Sequence, residues 1–143
     1  MKRITLMFVM LALAAPAFPA ESAGIVVIVN PQSGVEKLSK DEVIDIFLGR
    51  YRKLPDGRVA LPIDVAESST ARARFYQMLD KKSSSEMSSY WARLVFSGQT
   101  SPPFQVPDAR TALELVQSSP NAIAYVDRSA LSADVKVVFE LKE

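Results

Sequence analysis

Ser68, Ser69 and Thr70 set three hydroxyls side by side where an apolar run, Val59 to Val65, gives way to an amphipathic stretch. If that stretch is a helix, the cluster sits at its start, where the first backbone N–H groups have no internal partners and carry partial positive charge. Two uses of the hydroxyls compete there. One serine can cap the helix while the others face water, or the group can cradle a small anion. Arg72 and Arg74 follow within the first turns and either lean back toward such an anion or face solvent. Ser68, Ser69 and Thr70 are the candidate ligand-binding residues.

The chain contains neither histidine nor cysteine. That removes a Ser-His relay, a thiol nucleophile and the ordinary zinc or copper ligand sets. No Ser-x-x-Lys spacing and no glycine-rich nucleotide loop occur. Acidic neighbours such as Asp41 and Glu42 fall in a first helical turn, where they complement the helix dipole. The residues therefore assign no catalytic group, no metal and no cofactor, and the expectation is a binding protein and not an enzyme. A basic loop, Arg50, Arg52, Lys53 and Arg58, either is solvated or meets phosphate or an acidic partner.

The elements that must position the cluster are readable from periodicity and caps. Ile25 to Val29 is a continuous β-branched run, the pattern of a strand covered on both faces, and Asn30-Pro31 breaks it. Ser39 and Glu42 form a capping box, Leu38 can staple on Val43, and Gly49 closes that helix. The strand Val59 to Val65 follows, with Pro62 indicating an edge or an irregularity. The next helix buries Ala71, Phe75, Met78 and Leu79. Ser83 and Glu86 box a third helix with Met87, Tyr90, Trp91, Leu94 and Val95 inward, ended by Gly98. Trp91 is expected near the core's margin with its indole N–H satisfied. The three prolines between Ser101 and Pro107 predict irregular chain. Asp108 caps a fourth helix to about Gln117, and Ala122 to Val126 and Val135 to Leu141 read as strands. The order implies an α/β layered domain.

Ahead of this lies Met1-Lys2-Arg3, then an uncharged stretch from Ile4 to Ala20 that contains Pro16 and Pro19 and is short for a bilayer span. This is the layout of a secretory signal peptide over residues 1–22, cleaved after Ala17 or Ser22, with a domain over 23–143. Cleavage after Ala17 takes the formal net charge from +1 to −1 by removing Lys2 and Arg3. Such a balance gives no broad field for nucleic acid or anionic lipid. The expectation is a periplasmic, soluble chain with no lipid anchor, no nucleic acid partner and no membrane insertion after cleavage.

Four stretches together resemble the solute-binding proteins of phosphate ABC transporters, in particular short single-lobe relatives. They are Val26 to Pro31, Leu38 through Asp45-Ile46-Phe47-Leu48-Gly49, Leu61 to Val65 leading to Ser68-Ser69-Thr70 and Phe75, and Ser119 to Val126. Tyr90 to Gly98 is similar to a Tyr-Trp-Ala-Arg-Leu-x-Phe-x-Gly stretch of those relatives. The resemblance implies one lobe of a type II periplasmic binding protein and a phosphate-like oxyanion held at Ser68-Ser69-Thr70 for an ABC-type uptake system, with a permease or other envelope protein as partner. Where the family has the arginine of its Arg-x-x-x-Ser-Gly-Thr motif, this chain has Asp64 or Val65, and Asn121 and Ala124 stand for glycines. These departures open the alternative of a non-transporting periplasmic interaction module that kept the lobe and lost its ligand.

Overall fold

A computed structural model describes residues 24–66 and 69–142. Residues 1–23, where the signal peptide is expected, Glu67, Ser68 of the hydroxyl cluster and Glu143 lie outside the described residues.

Strand β1 (Ile25–Val29) consists of five β-branched residues, all fully buried. Burial of successive residues requires cover on both faces, because side chains alternate along a strand. Asn30 ends it. Its side chain accepts from the Gln32 N–H, and its Nδ2 donates to the carbonyls of Val116 and Gln117 at 2.9 Å each. This buried amide therefore fixes the strand to a distant helix.

Helix α1 (Lys40–Phe47) opens with the expected capping box: Ser39 Oγ accepts from the Glu42 N–H and the Glu42 carboxylate accepts from the Ser39 N–H. Leu38 and Val43 are both buried at the staple positions. Past the helix, Gly49 adopts φ 70°. A Cβ there would stand 2.9 Å from Thr100 and 3.3 Å from the Trp91 ring, so conformation and space both demand glycine.

Strand β2 (Leu61–Val65) is shorter than the apolar run, since Val59 makes only an isolated bridge with Lys53. It runs parallel to β3 (Phe104–Val106) on one side and β4 (Ala122–Asp127) on the other. With β5 (Lys136–Leu141), the sheet order is β3-β2-β4-β1-β5, and β1 is antiparallel to both β4 and β5. Pro62 therefore lies in an internal strand. The Leu61 N–H donates to Asn121 O toward β4, so the Pro62 nitrogen faces the other way, where pairing with β3 starts only at Ile63. No donor is needed there. Residues 101–107 are also more regular than their prolines predict, because Pro102, Pro103 and Pro107 flank the three residues of β3 and do not interrupt them.

Helices α2 (Thr70–Asp80), α3 (Ser84–Ser97) and α4 (Ala109–Ser118) complete the fold. Ser83 and Glu86 form the second capping box, and Asp108 accepts from the Thr111 N–H. Phe75, Leu79, Met87, Trp91, Ala112 and Val116 are buried as their spacing requires. Val95 is not; it lines the rim of a cleft and is 54% exposed. Helix α2 packs on the sheet with α1 and α3 against it, while α4 packs on β4, β2 and β1. Tyr125 of β4 stacks on Phe75 with ring centroids 3.8 Å apart, and Phe47 meets Phe75 edge-on at 4.9 Å. The result is a mixed α/β fold around one apolar core. Among the described residues, no helix is long and apolar enough to cross a membrane.

Urea denaturation provides the check on this packing. Phe75→Ala is expected to lower the unfolding free energy by about 3–5 kcal/mol, the cost of a large core truncation. Ser39→Ala is expected to cost about 1 kcal/mol through the lost cap.

Candidate functional site

The strand that feeds the hydroxyl cluster also buries a carboxylate. Asp64 is 1% exposed, in the middle of an apolar strand. The parallel register pairs Ile63 with Ala124, which sets Asp64 beside Tyr125 on the same face of the sheet. The Tyr125 hydroxyl donates to Asp64 Oδ1. Helix α2 supplies the other donors from two positions one turn apart. Arg72 Nε donates to Asp64 Oδ2 at 3.1 Å and the Tyr76 hydroxyl to the same oxygen at 2.9 Å. The Arg72 guanidinium lies 5.2 Å from the centre of the Tyr76 ring.

Electrostatics follow from the burial. Desolvation pushes the Asp64 carboxyl above its ordinary value of 3.8, against the opposing hydrogen bonds of Tyr125 and Tyr76 and the charge of Arg72. Burial works against the charge on Arg72 as well, but the Asp64 carboxylate and its neighbours outweigh it and hold the guanidinium above its ordinary value. Both tyrosines are raised, by burial first and by the adjacent carboxylate second. The four groups form an ion pair with two tyrosine donors, not an acid–base pair aimed at a substrate. Among the described residues, no group of histidine, cysteine, aspartate or glutamate is arranged to hold a metal ion.

Of the residues singled out in the sequence, Ser69 is half-buried and Thr70 exposed. Ser69 is the N-cap of α2, its Oγ accepting from the Arg72 N–H at 3.4 Å, and its own N–H donates to Ala66 O at 2.8 Å. The N–H groups of Thr70 and Ala71 lie in the first turn and have no intrahelical acceptor. Arg72 neither leans toward the cluster nor faces solvent; it is 2% exposed and turned under the helix to Asp64. Arg74 pairs with Asp127 at 2.8 Å. In the basic loop, Arg52 donates to the carbonyls of Ile46 and Ser101, and Arg58 pairs with Asp56 at 3.1 Å. Trp91 is buried in a cleft wall at the core's margin, as expected, but among the described residues its Nε1 has no hydrogen-bond partner.

Sequence reasoning missed Asp64, Tyr76 and Tyr125 as a unit. A signal was present, since a charged residue inside an apolar strand demands a partner. Arg72 and Tyr76, four residues apart on the next helix, were candidates for that role.

The sequence matches no family model, and no curated protein matches it. Solved structures share its fold. An ABC-type phosphate transport receptor from Vibrio cholerae aligns over 80% of this chain and 45% of its own, with 15% identity and a TM-score of 0.64. A protein described as a phosphate ABC transporter substrate-binding protein from Clostridium perfringens, with bound phosphate, aligns over 83% of this chain and 46% of its own, at 22% identity and a TM-score of 0.62. PstS from Borrelia burgdorferi gives 80%, 46%, 11% and 0.60 for the same quantities. The chain thus has the fold of one lobe of such proteins and spans less than half the length of each.

Two measurements test the buried pair. Arg72→Ala leaves the Asp64 carboxylate buried and is expected to cost about 3–5 kcal/mol in chemical denaturation. Arg74→Ala, in a partly exposed pair, is expected to cost less than about 1 kcal/mol. The second concerns pH. Because Asp64 is raised above its unfolded value, its contribution to stability is complete below about pH 3.8 and is lost as pH rises through its folded value. Unfolding free energies measured across that window are expected to fall with pH from this group, and Asp64→Asn is expected to remove that component.

Proposed function

We propose that this chain is a periplasmic solute-binding-like protein that holds a small oxyanion, phosphate first, at the start of α2, in service of an ABC-type uptake system. The observation that carries the reading is the delivery of β2 directly into a serine-capped helix start, in a fold shared with a structure that has phosphate bound. Ligands of open α/β sheets gather outside the carboxyl ends of parallel strands, and β2 runs parallel to both of its neighbours. Ser68, Ser69 and Thr70 would surround the anion, with the first-turn N–H groups of Thr70 and Ala71 donating to it.

The same geometry sets the strength of binding. Arg72, the cation nearest along the chain, is already neutralised by Asp64. The anion is then held by uncharged donors and the helix end alone. Loss of a charge-assisted hydrogen bond is worth about 1.5–3 kcal/mol, or roughly ten- to a hundredfold in affinity. Binding is therefore expected to be weak.

Isothermal titration with phosphate and with sulfate tests this. Saturable heat at millimolar ligand is the expected result, with affinity lowered at least about tenfold in a Ser68→Ala, Ser69→Ala, Thr70→Ala variant. Affinity and not melting temperature is the readout, because Ser69→Ala also removes a helix cap. Absence of heat for both anions and of any thermal stabilisation by them would refute direct binding.

A second reading has its own observation. Phe96 is 96% exposed, and Val95 and Phe104 are more than half exposed on the α3 end and the β3 strand that border one cleft. Exposed aromatic surface of this kind favours an interaction module that contacts an envelope protein. Capture from a periplasmic extract by the intact protein, abolished by Phe96→Ser, separates this reading from the first.

A further inference from the structure

A cleft of about 500 Å³ lies between α3 and the β2–β3 edge, without Ser69 or Thr70 in its lining. Trp91, Ala92, Val95, Pro102 and Pro103 form its apolar wall, and Asp64, Arg72, Ser88 and Gln105 complete the lining. That size falls in the range of small-molecule sites, and an apolar lining with few polar groups is their usual make-up. Two of the donors on lining residues have an unusual property. Arg72 Nη1 and Trp91 Nε1 are buried and have no hydrogen-bond partner among the described residues. Native proteins leave few buried donors unpaired, because each forfeits its hydration without replacement. Two such donors on residues that line one cleft call for an acceptor.

The charge of the acceptor follows from Asp64. The Arg72 guanidinium is already matched by a carboxylate that accepts from its Nε. An anionic ligand would bring a second negative charge toward Asp64 in a weakly solvated wall, and like charges at short range are costly there. An uncharged oxygen supplies the missing acceptor without that repulsion. Both nitrogens are buried, so contact requires side-chain adjustments of the kind common on binding.

We infer that this cleft binds a small uncharged molecule with an apolar, ring-sized body and a carbonyl oxygen, the body lying among Trp91, Val95 and the two prolines, the oxygen accepting from Arg72 and Trp91. This ligand class differs from the oxyanion proposed for the α2 start, and the two sites share no proposed ligand contact.

Trp91 is the only tryptophan in the chain, so its indole N–H gives a single, self-assigned signal in a ¹⁵N-labelled sample of the full protein. Three probes of similar shape separate the terms: benzamide (uncharged acceptor), benzoate (anionic acceptor) and toluene (no acceptor). Benzamide is expected to shift the Trp91 signal saturably at millimolar concentration, with benzoate and toluene at least about fivefold weaker. Ala92→Phe, at an exposed α3 position on the cleft wall, is expected to abolish the benzamide response while leaving the melting temperature in place. Inorganic phosphate is expected neither to move the signal nor to displace benzamide. The inference is overturned if benzamide gives no saturable shift, if benzoate or toluene matches it, if Ala92→Phe binds as wild type does, or if phosphate competes.

Discussion

A carboxylate in an apolar interior is tolerable only when both oxygens find donors, and Asp64 meets that condition with three, drawn from two different elements. Tyr125 reaches it from the neighbouring strand, while Arg72 and Tyr76 reach it from the helix above. Sheet and helix are thereby held to one relative position. Move α2 by a turn, and a buried charge loses its partners. The stacking of Phe75 on Tyr125 belongs to the same arrangement, because the ring that orients the Tyr125 hydroxyl is itself packed against the helix. Replacing such an ion pair with apolar residues is often neutral or stabilising in other proteins. Its value in this fold is therefore best sought in positioning: it settles where α2 begins.

The position of α2 governs the functional reading. A helix that starts at the carboxyl end of a parallel strand offers unpaired amides to whatever lies in front of it. In this chain the nearby positive charge has been turned inward and cancelled, so the helix start is chemically mild. An anion placed there would be met by hydrogen bonding more than by charge. The apolar cleft on the far side of Arg72 carries the same stamp, since the ion pair in its wall has no net charge to offer. One internal neutralisation thus shapes two surfaces.

Local features were legible in the sequence, and long-range ones were not. Ser39 with Glu42 and Ser83 with Glu86 announce helix starts because a capping box needs only four consecutive residues. The Ile25–Val29 run announces a strand covered on both faces for a similar reason, although its antiparallel pairing with β4 and β5 is invisible in it. Asp64 and Tyr125 are 61 residues apart, and nothing between them encodes the register that joins them. Arg72 could be read only as a cation on a helix, since its direction depends on a carboxylate in another element. For the candidate site, the serine cap was legible, and the charge cancellation beneath it was not. Trp91 shows a different limit: the rule about indoles placed the ring at the core's margin, where it lies, but its Nε1 finds no acceptor among the described residues.

The three prolines around β3 have an effect on the sheet as a whole. An outermost strand exposes a row of hydrogen-bonding groups that a stray chain can copy, and long flat rims are where proteins stick to one another. Here the rim holds only Phe104, Gln105 and Val106, bracketed by residues 103 and 107 that own no amide hydrogen. A visiting strand would find a ladder with too few rungs to climb. The exposed aromatic ring of Phe104 can therefore sit at this border of the sheet without inviting backbone pairing along β3.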